Sequence, residues 1–207
     1  HTAVLRGNHL TLRLLLGAKA DVNAKDMDPD FDPRFSSTNF EEKPYEHRTP
    51  LHYASELGNV LAMRLLLEAH ADPNAGDSRR QTPLHLCLGL RAPDAELEVA
   101  SGVRVVGLSK RPEWNGVLGA VIGPQGEFSD GSAARWPVLL DEASGASSDG
   151  VLLKEDNLQR LPDEALALLL ASKADVNLGN QVTGETITVL HEAARTGDAA
   201  LASKLIH

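Results

Sequence analysis

The chain has 207 residues, with 20 Lys and Arg against 29 Asp and Glu, and a formal charge of −9. That length is a prior for one or two domains, and 42% hydrophobic residues allow a packed core and argue against global disorder. The acidic balance argues against broad nucleic-acid binding, a single cysteine (Cys87) excludes an internal disulfide framework or a Cys-rich zinc site, and no apolar run is long enough to span a bilayer.

Along the chain, one pattern returns. His1, Gly7 and Ala20-Asp21-Val22-Asn23 open it. Thr49-Pro50-Leu51-His52 begins it again, followed by Ala54, Gly58, Leu65-Leu66-Leu67 and Ala71-Asp72-Pro73-Asn74. Thr82-Pro83-Leu84-His85 is a third start, its histidine 33 residues after His52. Ala174-Asp175-Val176-Asn177 and a weaker Thr188-Val189-Leu190-His191 close the series. Thr ahead of Pro predicts a helix N-cap followed by the first helical position, where the missing proline N–H costs nothing. Gly58 is expected in a tight turn between two short helices. One such pair cannot bury its apolar stripe alone, so the copies must stack.

These motifs resemble the ankyrin repeat, over residues 1 to about 92 and about 162 to 207. The resemblance implies a solenoid of helix-turn-helix units with projecting fingers. It implies that His52, His85 and His191 bond the helix start to the adjacent finger, and that Asp21, Asp72 and Asp175 tie the finger backbone. Arg80 stands where the family has glycine, so that turn is expected to be strained or rebuilt. Departures at Val189, and at Lys19, His70 and Lys173 before each Ala-Asp, mark a degenerate array. The chain opens inside a repeat and reads as a piece of something longer.

Against a 33-residue repeat, two insertions stand out. The first finger carries 18 extra residues, since Asp21 to His52 is 31 and Asp72 to His85 is 13. This segment, about 27–47, holds Phe31, Phe35, Phe40 and Tyr45, readable as a solvated loop or as a finger gripping a ligand. Asp26, Asp28, Asp30 and Asp32 alternate as in a calcium loop. Phe31 and Ser37 stand where that loop needs Gly and Glu, which disfavours a calcium site.

The second insertion, about 93–162, adds 70 residues between the two helices of the third repeat. Val103 to Val106, Gly119 to Ile122, Arg135 to Leu140 and Val151 to Leu153 read as short strands, with an Asn115-Gly116 turn. Glu155-Asp156-Asn157-Leu158 closes the unit. Four or five strands in some 60 residues suggest a small barrel, and their order resembles SH3-like and, more loosely, KOW-type modules. Trp136, in a strand, is expected in its core; Trp114, beside Lys110 and Arg111, is expected at its surface.

The expected fold is therefore mainly α: an ankyrin solenoid with a small all-β SH3-like barrel inserted in the third repeat. Residues 1–92 and 163–207 carry the repeats and 93–162 the barrel. No phosphate loop, nucleophile elbow or paired-histidine metal motif is present, and Cys87 is expected as a buried, inert thiol. The expected function is non-catalytic: a scaffold binding a protein partner, without cofactor or metal. Contacts are expected from finger residues Asp77, Ser78, Arg79, Arg80 and Gln81, from helix residues Tyr53, Glu56, Leu57, Leu86 and Leu90, and from Trp114. Two rival readings are a regulatory or targeting segment of a larger enzyme, such as a ubiquitin ligase or kinase, and nucleic-acid or modified-peptide binding by the barrel. The expected compartment is the cytoplasm, with the nucleus compatible.

Overall fold

The structure is a computed structural model, described for residues 1–26, 47–90, 96–126, 134–141, 150–182 and 185–206. The aromatics Phe31, Phe35, Phe40 and Tyr45, and Asp28, Asp30 and Asp32 of the calcium-like run, lie outside the described residues.

Among the described residues the helices fall into four pairs: α1 (Thr2–Leu5) with α2 (His9–Gly17), α3 (Pro50–Glu56) with α4 (Val60–Glu68), α5 (Pro83–Gly89) with α6 (Pro162–Ala171), and α7 (Val189–Thr196) with α8 (Ala199–Ile206). The starts are encoded locally. Thr49 and Thr82 are N-caps with extended backbone, and Pro50 and Pro83 fill the first helical position. The second helices of the first two pairs are capped by Asn8 and Asn59, whose Oδ1 atoms accept from the N–H of Thr11 and Ala62 at 2.9 and 3.0 Å. Gly58, between α3 and α4, has φ +60°.

Helices of seven to nine residues are not stable alone, so packing holds them. Leu51 and Leu84, each after its Thr-Pro, are fully buried. So are Ala54 and Cys87 at the matching position one turn later. Leu66, Met63, Leu166 and Leu169 fill the space between α4 and its neighbours. The fourth copy departs: Val189 is fully buried, but Leu190, which matches Leu51, is 40% exposed.

The chain is not purely helical. Between α5 and α6 lie five strands, β1 (Gly102–Val105), β2 (Leu118–Val121), β3 (Arg135–Leu140), β4 (Val151–Lys154) and β5 (Leu158–Arg160). They form one antiparallel sheet in the order β4-β3-β2-β1-β5. Short 3-10 turns at Pro112–Trp114 and Glu155–Asn157 precede β2 and β5. Val103, Val105, Val121, Val138, Leu140 and Leu153 make its core. The closed barrel expected from sequence is corrected here to a curled half-barrel. Among the described residues no pairing joins β4 to β5, so the sheet keeps two edges and fits an SH3-like fold only loosely. Trp136 and Trp114 are both half-buried against this core rather than inside it.

A second, unexpected sheet is the hairpin β6 (Gly179–Val182) and β7 (Glu185–Thr188), which forms the finger before α7. "Mainly α" is thus corrected to helical repeats plus two antiparallel sheets. Among the described residues no helix is long and apolar enough to cross a membrane.

The five-stranded sheet folds back onto the first two helix pairs. Gly102 N–H donates to the Leu57 carbonyl at 3.1 Å, and Asn59 Nδ2 donates to the Ala100 carbonyl at 3.2 Å. The approach is so close that a Cβ on Gly102 would lie 2.2 Å from the Gly58 carbonyl oxygen. Arg104 adds a two-pronged pair to Glu164 on α6, at 2.7 and 2.8 Å.

Candidate protein-binding face

The recurring histidines are joints between repeats. In His52 the Nδ1 accepts from the Thr49 N–H at 3.1 Å, completing a capping box in which histidine replaces the usual Glu or Gln. That leaves Nε2 to carry the proton, and it donates to the Gln81 carbonyl of the next finger at 3.0 Å. His85 repeats the arrangement, with Thr82 at 3.2 Å and the Ile187 carbonyl at 3.3 Å. His1 lies 2.9 Å from the Arg48 carbonyl. In all three cases the target is the residue just before the next Thr N-cap. Burial holds His52 and His85 below the ordinary histidine value of 6.5, against the opposing pull of their carbonyl bonds and of Asp77. His191 keeps the Thr188 box, at 3.2 Å, on an exposed face.

A second joint runs through the finger bases. Asp21, Asp72 and Asp175 each tie their own turn, accepting from the N–H of Asn23, Asn74 and Asn177 at 2.8–2.9 Å. The asparagines of the first two turns make the link between repeats. Asn23 Oδ1 accepts from the Asp72 N–H at 2.8 Å, and Asn74 Oδ1 from the Asp175 N–H at 2.7 Å. Lys19, His70, Arg80 and Lys173 all hold positive φ, from 58° to 66°, so the left-handed turns persist without glycine.

Of the expected contact residues, Ser78, Arg79 and Arg80 form an exposed finger tip, and Gln81 is half-buried behind it. Asp77 is buried; its Oδ1 accepts from the N–H of Arg79 and Gln81, both at 2.8 Å, and so shapes that tip. Tyr53 and Glu56 face a cluster that the sequence did not disclose. Arg48, 2% exposed, reaches Glu56 at 2.7 Å and Asp77 at 3.6 Å, and stacks over the Tyr53 ring at 5.6 Å. The Tyr53 hydroxyl donates to Asp26, and burial, followed by this contact, raises its pKa above the ordinary value of 10. Leu57, Leu86 and Leu90 are buried. Trp114 stands apart, on the sheet, under the Arg111 guanidinium at 5.1 Å, and that guanidinium also pairs with Glu113 at 3.3 Å.

Two cavities flank α5 and adjoin at Gln81, His85 and Gly89. One, of about 370 Å³, lies toward Glu56, Leu86, Leu90, Glu96, Glu98 and Arg160. The other, of about 600 Å³, lies toward Leu88, Asn180, Glu192, Arg195, Asp198 and Leu201. Among the described residues no group of three or more His, Cys, Asp or Glu side chains is placed to hold a metal.

Comparison with known proteins agrees with this frame. Residues 1–95 match the family model of ankyrin repeats, in three copies. Among curated proteins, Rabankyrin-5 of Mus musculus is 34% identical over 90 residues, which is 42% of this chain. The chain spans about 7% of the length of that relative. The His and Asn joints described above therefore belong, in the first two pairs and α5, to an ankyrin array.

Proposed function

We propose that the chain is a non-catalytic binding module that docks a protein partner with its finger tips and the inner helices α3 and α5. Ankyrin repeats generally mediate protein–protein interaction, and residues 1–95 match them. The observation that carries the reading is the pair of cavities that adjoin along α5 at Gln81, His85 and Gly89, with the exposed Ser78-Arg79-Arg80 tip immediately preceding Gln81 in the chain. The repeated polar side chains are already engaged in joints, whereas the tip and cavities present side chains to solvent. Adjoining cavities of about 370 and 600 Å³ fall within the size range of recognition sites.

The test is binding kinetics with a partner isolated by affinity capture on the full chain. Replacing Arg79 and Arg80 together by Ala should slow association severalfold and flatten its salt dependence, because rim charges act mainly on encounter. Unchanged association, with binding retained by a protein lacking the fingers, would move the partner site elsewhere.

A further inference from the structure

The second finger tip is shaped from beneath. The Asp77 side chain has no exposed surface, and its Oδ1 accepts from the N–H of Arg79 and of Gln81, both at 2.8 Å. Two N–H groups on one oxygen fix the turn through Ser78, Arg79 and Arg80. The Arg80 N–H adds a bond to the Asp77 carbonyl at 2.9 Å. A carboxylate buried in this way needs a counter-charge. Arg48 brings one, its Nε lying 3.6 Å from the other oxygen, Oδ2.

Arg48 belongs to a different segment, the root of the first finger, and is held there on several sides. Its N–H donates to Asp26 Oδ1, and its carbonyl accepts from the Asp26 N–H at 2.9 Å. Its Nη1 pairs with Glu56 at 2.7 Å, and the guanidinium lies over the Tyr53 ring. Lys25, on the same finger, donates to the Gly76 carbonyl at 3.0 Å, so the first finger touches the base of the tip twice. In the second and third fingers the matching place, just before the Thr N-cap, holds Gln81 and Ile187. Neither is charged, so this hold is not a feature copied with the repeat. On the far side, the Arg79 carbonyl accepts from the Gln181 N–H of β6 at 2.8 Å. That bond ties the tip to the next finger, so loss of Arg48 should loosen the turn without unfolding the finger.

We propose that Arg48 is a positioning residue of the docking face: through Asp77 it sets the turn that presents Arg79 and Arg80. The inference deepens the protein-binding role given above and rests on it for the use of the tip, while the turn itself is tested without a partner. Removing Arg48 strands the Asp77 carboxylate, which then turns toward water and releases the Arg79 and Gln81 N–H groups.

The test is amide exchange, residue by residue, on the nitrogen-15-labelled full chain. Arg48→Met should speed exchange at Arg79 and Gln81 by about tenfold beyond any change at Met63 and Leu66, which report global opening from the buried face of α4. Adding Asp77→Asn should restore both amides, because the Asn oxygen accepts the same N–H groups and needs no counter-charge. Glu56→Gln, which removes the other carboxylate on Arg48, should leave them unchanged. Exchange rising at Arg79 and Gln81 no more than at Met63 and Leu66, or unrestored by Asp77→Asn, would overturn the relay. Where Arg48→Met alone fails to fold, a double variant that folds with parental exchange supports the relay, and one that also fails overturns it. With the captured partner, Arg48→Met should slow association as the Arg79 and Arg80 variants do. Selective exchange with unchanged association would keep the relay and overturn the docking role of the tip.

Discussion

The repeats and the inserted sheet join to their neighbours by opposite means. From one repeat to the next, polar side chains make the connection: the buried His52 to the Gln81 carbonyl, and Asn23 at the finger base to the Asp72 N–H. Between sheet and repeats, side chains largely step aside. Gly102 brings backbone against backbone, Asn59 adds a bond to the Ala100 carbonyl, and Arg104 clasps Glu164. A side-chain joint can be copied along a sequence, so it returns with each repeat, 33 residues on from His52 to His85 and farther where an insertion intervenes. A backbone joint depends on the absence of a side chain at one place and leaves no repeat to follow. The difference teaches why one half of this molecule is conspicuous in its sequence and the other is not.

The sharpest way to break the contrast is at the backbone joint. Gly102→Ala should destabilise by about 3 kcal/mol, because its Cβ would fall 2.2 Å from the Gly58 carbonyl oxygen and 2.5 Å from the Asn59 Cα, both backbone atoms. A thermal melt with an unchanged midpoint would contradict this. At the side-chain joint, His52→Ala should cost about 1–3 kcal/mol, since it strands the Thr49 N–H and the Gln81 carbonyl in a buried setting. Urea titration measures it, and the loss should appear without any change in the sheet's own strand pairing by amide exchange.

Acid distinguishes the two joints with less force. His52 and His85 sit below 6.5 when folded, so between that folded value and 6.5 the unfolded chain binds more protons. Their contribution is complete above about pH 6.5 and is lost as pH falls through the window below it. A protonated Nδ1 would also point a hydrogen at the Thr49 or Thr82 N–H. Stability measured from pH 7.5 to 5 should therefore decline, and the slope should shrink in a variant carrying His52→Ala. The smallest effect is expected at Arg80, with φ 58°: Arg80→Gly should stabilise by a few tenths to about 1 kcal/mol, the left-handed strain outweighing the added chain entropy. A measured loss of stability would place the tip's value in the Arg80 side chain instead.

How much of this was legible follows the same division. Thr49-Pro50 and Gly58 announce a helix start and the turn between two helices because each acts within a few residues of itself, whereas the Asn59 cap went unread. The partner of each histidine was legible only as a finger, since the acceptor is a carbonyl and carries no residue type. Arg48 carries no signal in the sequence; it is buried because Asp26, Glu56 and Asp77 converge on it from three separate segments. The strands of the sheet were legible from alternation and turns, but closure depends on a pairing between β4 and β5 that no local pattern encodes. The hairpin of β6 and β7 hid in a finger only three residues longer than its neighbour. In the candidate site the Arg79-Arg80 tip could be numbered from the repeat, whereas the cavities beside α5 could not, because residues far apart in the sequence line them.

The pairing of β1 with β5 places the two ends of the inserted sheet side by side, Val103 opposite Arg160. That adjacency bears on time rather than on strength. In the other pairs the two helices are a few residues apart, but α5 and α6 are separated by residues 90–161. Bringing the ends of so long a segment together costs loop entropy that grows with the logarithm of its length. Once the sheet has formed, its own ends are already neighbours, and only residues 90–101 and 161 remain to be spanned. The closure penalty then falls by about 1.5 kcal/mol. The sheet thus acts as a clasp for the third repeat, turning its slowest encounter into a short one.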